Sequence, residues 1–120
     1  MTPGKEQFNL EIASTPLGAS LMKLSGPLTL QTLFEFQDAG RKETSKPVVV
    51  DLTHVPYMDS AGLGCVISIF ASCQRTHRGF AIFGVAERLR TLFVVTHVDG
   101  LLPCFDSLDA ADAAAKTATK

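Results

Sequence analysis

The chain has 120 residues, 46% apolar and 19% charged, a composition that fits one compact domain and excludes both a disordered segment and a pair of ordinary domains. A formal net charge of −1 leaves no basic excess to neutralise a nucleic-acid backbone or an anionic membrane, so no direct nucleic-acid partner is expected. The opening MTPGKEQFNLEIAS has no signal-peptide core and no run approaches the roughly 20 apolar residues of a membrane span, so a cytoplasmic protein without membrane insertion is expected.

In chain order, QFNLEIA at residues 7–13 alternates as a half-buried strand, with Phe8, Leu10 and Ile12 on one face. Thr15, Pro16 and Gly18 make a turn, and Ala19 to Leu24 reads as a second strand beside the first. After Gly26 and Pro27, Thr29 is placed to cap a helix through about Arg41, with Leu30, Leu33, Phe34 and Gln37 along one side. Phe36 lies off that stripe, either in a wide core face or as a contact in a homo-oligomer. The polar run Lys42 to Lys46 suits a loop, and Val48 to Leu52 is the uninterrupted β-branched run of a central strand covered on both faces.

That strand runs into the turn THVPYMDS and then a helix from about Ala61 to Arg78. Leu63, Val66, Ile67, Phe70 and Ala71 fall on one face of it, with Ile69 and Cys73 at the flank. Gly79 is in place to close the helix, Phe80 to Val85 supplies another buried strand, and Ala86 to Thr96 returns to helix with Leu89, Leu92, Phe93 and Thr96 together. Leu101 to Phe105 forms only a short edge strand because Pro103 cannot donate to a ladder, and Ser107 caps a last helix from about Leu108. The order β-β-α-β-α-β-α-β-α predicts a single α/β domain over 1–120, a mixed sheet of four or five strands covered by about four helices. Its core spans about 7–115, and the terminal AKTATK frays.

Cys65, Cys73 and Cys104 are odd in number and show no C-x-x-C spacing, which argues against a disulfide framework and a zinc site; the first two read as small buried hydrophobes. His54, His77 and His97 are too scattered to hold a metal or complete a hydrolytic triad with a serine. The DSAGL segment lacks the G-x-S-x-G elbow, and its G-L-G lacks the lysine and spacing of a phosphate loop, so neither enzymatic activity nor a cofactor is expected. What remains is Ser60, a hydroxyl set directly after Asp59 where the helix begins, beside unpaired N–H groups and the positive end of the helix dipole. A phosphate would be accommodated there, and a plain helix cap is the alternative for Ser60 and for Asp59 alike. Tyr57 and Met58 either flank this point as apolar contacts or pack inward, and Gly62 and Gly64 imply close backbone approach by a partner or a neighbouring strand.

VVVDLTHVPYMDSAGLG resembles the signature of STAS domains, especially bacterial anti-sigma factor antagonists, and the SGPL stretch at Ser25 to Leu28 and FAIFGVAERLRTLFVVTHVDGLLPCF at Phe80 to Phe105 extend the likeness over nearly the whole chain. The resemblance implies that Ser60 is a phosphorylatable switch. It implies a partner that is an anti-sigma factor and a serine kinase of the GHKL type, and a PPM-type phosphatase that restores the unmodified form. The partner face implied comprises Thr29, Tyr57, Met58, Asp59, Ser60, Ala61, Gly62 and Leu63. Antagonists of this class often carry an acidic residue where this chain has Thr29, a departure that keeps capping ability and loses a carboxylate. The same resemblance also fits a constitutive interaction scaffold in a transporter or stress-signalling assembly, and a small-ligand sensor is a third reading.

Overall fold

Val48, Val49 and Val50 have no exposed surface, because the strand they begin is sandwiched between helices on both faces. The computed structural model describes residues 7–119. Its elements are β1 (Asn9–Ser14), β2 (Ser20–Ser25), α1 (Phe34–Lys42), β3 (Val48–His54), α2 (Ser60–Arg75), β4 (Phe80–Phe83), α3 (Glu87–Val95), β5 (Cys104–Phe105) and α4 (Leu108–Ala118). The sheet has five strands in the order β1-β2-β3-β4-β5, with β1 antiparallel to β2 and every later pair parallel. Val48, Val50 and Leu52 pack into one core with α1, α2 and α3, whereas Val49 and Ala81 pack with Ala111 and Ala115 of α4 on the opposite face. Each valine fully buried in this way contributes roughly 1.5–3 kcal/mol.

The element order matches the expectation, and several boundaries and faces differ from it. The helix expected from Thr29 starts at Phe34. Residues 29–32 form a tight turn first: Thr32 Oγ1 accepts from the Thr29 amide at 2.8 Å, and the amides of Thr32 and Leu33 donate to the Thr29 carbonyl at 3.0 and 2.9 Å. That turn rotates the buried stripe. Leu33, Phe36, Ala39 and Gly40 face inward, while Leu30 and Phe34, expected inside, are 55% and 59% exposed. Phe36 is wholly buried and is therefore core, not an oligomer contact.

On α2 the buried face is Gly62, Leu63, Cys65, Val66, Ile69, Phe70 and Cys73, so Ile69 and Cys73 belong to the core and Ile67 and Ala71 are the half-buried flank. The helix stops at Arg75, three residues short of expectation, and the left-handed residue that turns the chain is His77 (φ 59°). Gly79 serves another purpose: a Cβ there would overlap the Ala115 carbonyl, so its small size lets α4 pack against the start of β4. Its amide donates to Thr119 Oγ1 at 2.8 Å, and that hydroxyl donates to the Ala115 carbonyl at 2.9 Å. The segment expected to fray is thus tied down as far as Thr119, and Lys120 lies outside the described residues.

Ile12, expected on the buried face of β1, is exposed because β1 is the edge strand, although Phe8 and Leu10 pack against the core. On α3, Leu89 and Phe93 are buried while Leu92 is half-buried and Thr96 exposed. The turn between β1 and β2 is held from α4: Asp112 Oδ1 accepts from Thr15 Oγ1 at 2.5 Å and Oδ2 from the Leu17 amide at 3.0 Å.

Candidate functional site

Parallel strands β2, β3 and β4 point their carboxyl ends to one pole of the sheet, and the chain leaves β3 there to enter the turn before α2. Open α/β sheets present their functional groups at such a place. The turn is held by a second strand-like contact that local periodicity does not announce. Leu28 bridges Met58 in parallel: the Leu28 amide donates to the Tyr57 carbonyl at 3.1 Å, and the Asp59 amide donates to the Leu28 carbonyl at 3.2 Å.

Asp59 is the N-cap of α2 and uses both carboxylate oxygens. Oδ1 accepts from the Gly62 amide at 2.8 Å, and Oδ2 accepts from the Leu30 amide at 3.1 Å. The Gly62 N–H above all, with those of Leu30 and Ala61, holds the Asp59 carboxyl below the ordinary carboxylate value. Gly62 is itself required by the packing, since a Cβ there would overlap the Leu28 carbonyl. The close approach inferred from this glycine is therefore made by the chain's own backbone, whereas around Gly64 a Cβ would meet nothing within 4 Å.

Ser60 is the first residue of α2 and is exposed, and its hydroxyl has no hydrogen bond among the described residues. Because Asp59 already takes the Gly62 amide, the capping alternative belongs to Asp59 and leaves the Ser60 hydroxyl free to face outward. Of the other residues expected in the partner face, Tyr57, Asp59 and Ala61 are half-buried. Thr29, Met58, Gly62 and Leu63 are buried. Thr29 is only 5% exposed and its hydroxyl is engaged with the Gln31 side chain at 3.2 Å, so it shapes the turn and offers a partner almost no surface.

Two residues that sequence periodicity had placed in the core are instead exposed near this turn. Leu30 is bound through its backbone to the Asp59 carboxylate and its side chain is exposed, as is that of Phe34 four residues later. The signal available in the sequence was the Thr29-x-x-Thr32 pair, whose side-chain-to-backbone bond makes a turn and delays the helix. Cys65 and Cys73 are buried as expected, and burial pushes the Cys65 thiol up to about 11. Among the described residues no group of three or more metal-ligating side chains comes together, and no helix is long and apolar enough to cross a membrane.

The chain and its fold have counterparts among known proteins. An anti-sigma-B factor antagonist of Staphylococcus epidermidis is 32% identical over 84 residues, covering 68% of this chain and 78% of that protein. The crystal structure of an anti-sigma factor antagonist from Mycobacterium paratuberculosis superposes with a TM-score of 0.80 at 23% identity, over 92% of this chain and 95% of that one. A sulfate transporter family protein from Wolinella succinogenes shares the fold at a TM-score of 0.68 and 20% identity, over 88% and 90% of the two chains. The STAS domain family matches residues 12–111, which take in every strand but the start of β1 and the whole Ser60 turn, and the chain belongs to that family.

Proposed function

We propose that this protein is an anti-sigma factor antagonist, regulatory rather than catalytic, whose binding face is the Ser60 end of α2 and whose release is driven by phosphorylation of Ser60. The observation that carries the reading is the placement of Ser60: exposed, its hydroxyl without a hydrogen bond among the described residues, and next to the two-segment anchor of Asp59, which ties in the turn that leads from exposed Leu30 to exposed Phe34. Its relative at 32% identity bears the name of an anti-sigma-B factor antagonist, which supports the same assignment.

The partner in this reading is an anti-sigma factor that is also a serine kinase of the GHKL type. In the modifying step Ser60 Oγ attacks the γ-phosphorus of ATP, a new Oγ–P bond forms as the bond to the β-phosphate oxygen breaks, ADP leaves, and the hydroxyl proton passes to a base on the kinase. A PPM-type phosphatase hydrolyses the ester and restores the serine. Phosphate adds about −1.5 to −2 charges next to the ionised Asp59. With Asp59 occupying the cap, the helix dipole is already largely answered, so the new charge projects outward. An apolar partner surface seated on Leu30 and Phe34 would have to desolvate it, and the complex dissociates.

Incubation with the cognate kinase and ATP, followed by peptide mass spectrometry, tests the switch: phosphate on Ser60 and none on Ser60→Ala is expected, and phosphate elsewhere with Ser60 unmodified rejects it. A second reading, a constitutive scaffold, is favoured by Thr29, which lacks the carboxylate that antagonists often carry there. Co-purification of a stable multi-subunit assembly that is unaffected by Ser60→Asp would support that reading over sigma control.

A further inference from the structure

A cavity of about 530 Å³ opens at the other pole of the molecule, lined by Phe80 at the amino end of β4, whereas Ser60 lies beyond the carboxyl end of parallel β3. Its existence follows from the short β5. The Ile82 amide donates to the Pro103 carbonyl at 2.9 Å, but proline has no N–H to continue the ladder, and β5 pairs through two residues only. The lower edge of β4 is left uncovered by β5. Phe70, Phe80 and Phe105 wall the resulting space, the first two with ring centroids 5.5 Å apart and tilted by 58°.

Arg78 lines the same cavity and is 7% exposed. Its Nε donates to Thr76 Oγ1 at 2.7 Å and its Nη1 to the Lys46 carbonyl at 2.9 Å, both neutral acceptors. The ion pairs among the described residues are those of Asp38 with Arg41 and Lys42, so this guanidinium sits in the fold without a carboxylate. Arginine is seldom buried to this degree unless it is paired. A guanidinium carries five N–H donors, and among the described residues no buried side-chain nitrogen or oxygen lacks a partner. Nη2, which neither of these bonds engages, therefore keeps some exposed surface, and the cavity is a space that Arg78 lines.

An opposing field acts at this pole. Helices α2 and α4 both end at this pole, and the negative ends of their dipoles offset part of the arginine charge. Those ends are already capped, by Thr76 Oγ1 on the Ser72 carbonyl and by Thr119 Oγ1 on the Ala115 carbonyl, both at 2.9 Å, and each last turn carries a cation, Arg75 or Lys116. Glu43, the nearby acid on the Lys46 side, is engaged by the amides of Ser45 and Lys46. The balance leaves Arg78 a cation in want of an anion.

We propose that this cavity binds a small hydrophobic carboxylate, its ring or chain lying among Phe70, Phe80 and Phe105 and its carboxylate on the open edge of the Arg78 guanidinium. The volume falls within the usual range for small-molecule sites, and three phenyl walls with one convergent cation are the composition such sites use. The site is separate from Ser60 and stands whether or not the antagonist reading does.

Amide chemical shifts of the isotope-labelled protein, titrated in parallel with naphthoate and with its neutral analogue naphthalenemethanol, test the proposal. Naphthoate should shift Gly79, Phe80, Ala114 and Ala118 saturably, and the alcohol should bind the same residues about tenfold more weakly, the loss of one charge-assisted contact. Gln74→Glu, an exposed change at the rim, should weaken naphthoate about fivefold and leave the alcohol unchanged, and Arg78→Gln should abolish the preference for the acid. Should Arg78→Gln fail to fold, the Gln74→Glu titration decides alone. Equal affinity for acid and alcohol, shifts confined to another surface, or no saturation would each overturn the proposal.

Discussion

Asp59 fixes two separate segments with one side chain, the first turn of α2 through Gly62 and the entry to α1 through Leu30. Removing it in Asp59→Ala loses an N-cap and a charge-assisted tertiary bond, and should cost about 1–2 kcal/mol in urea denaturation. The pH dependence has a definite sign. The folded carboxyl is held below its ordinary value of 3.8, chiefly by the Gly62 amide, so its contribution is complete above that value and disappears as pH falls through the lower folded pKa. The stability gap between wild type and Asp59→Ala should be constant at neutral pH and narrow on acidification below about pH 4; a gap that widens in acid would contradict the bond pattern. The two glycines that follow make a paired test of packing against propensity. Gly62→Ala drives a methyl into the Leu28 backbone, which cannot give way cheaply, and should destabilise by roughly 1–3 kcal/mol or more. Gly64→Ala meets open space and should stabilise the helix by about 0.5–1 kcal/mol, and thermal melts of the two variants should move in opposite directions.

At the scale of elements, α4 acts as a clamp across the far face of the sheet. Asp112, 2% exposed, reaches the β1–β2 turn, and Thr119 reaches the start of β4. Asp112→Ala strands the Thr15 hydroxyl and the Leu17 amide, and should cost roughly 2–3 kcal/mol with faster hydrogen exchange at Leu17. A loss under about 0.5 kcal/mol, the scale of an ordinary surface change, would show that α4 is not a clamp. These contacts also explain what the sequence disclosed. The strands at Val48 to Leu52 and from Phe80 were legible because a buried parallel strand imposes an unbroken apolar run, although the second ends at Phe83, two residues short of expectation, where Gly84 turns with φ 77°. The capping role of Ser107 was legible because its hydroxyl meets the Ala110 amide only three residues away. The start of α1 was not, because the Thr29 turn competes locally with helix and its Asp59 anchor lies 29 residues along the chain. Gly79 misled for a like reason: a glycine after a helix usually turns the chain, whereas this one makes room for Ala115. Within the site, Asp59 and Ser60 were readable from their own neighbours. Leu28 and Leu30 reach them through tertiary pairing, which Leu28 does not signal locally and which the helical spacing of Leu30 conceals.

At the scale of the whole molecule, the proposed partner binding is separable from folding, because the Ser60 end of α2 is held by backbone anchors while Ser60, Leu30 and Phe34 are exposed. Leu30 and Phe34 contribute little to the core, so Leu30→Ser and Phe34→Ser should leave the urea midpoint within about 0.5 kcal/mol of wild type. The same substitutions should each weaken the complex with the cognate anti-sigma factor by about 1–3 kcal/mol in calorimetry, since such apolar anchors dominate interface energetics. Phosphorylation is expected to behave in parallel. The Ser60 hydroxyl is exposed and has no hydrogen bond among the described residues to lose, and the Asp59 cap stays in place, so the modified protein should unfold at nearly the wild-type midpoint. Its net charge shifts from −1 to roughly −3. Binding should then fall more than tenfold, an effect of desolvation and repulsion at the interface. Amide spectra of the phosphorylated protein provide the check. Changes confined to the Leu28 to Phe34 and Tyr57 to Gly64 segments accord with a local charge switch, while changes reaching α4 and the β1–β2 turn would mean that the switch works by refolding the domain.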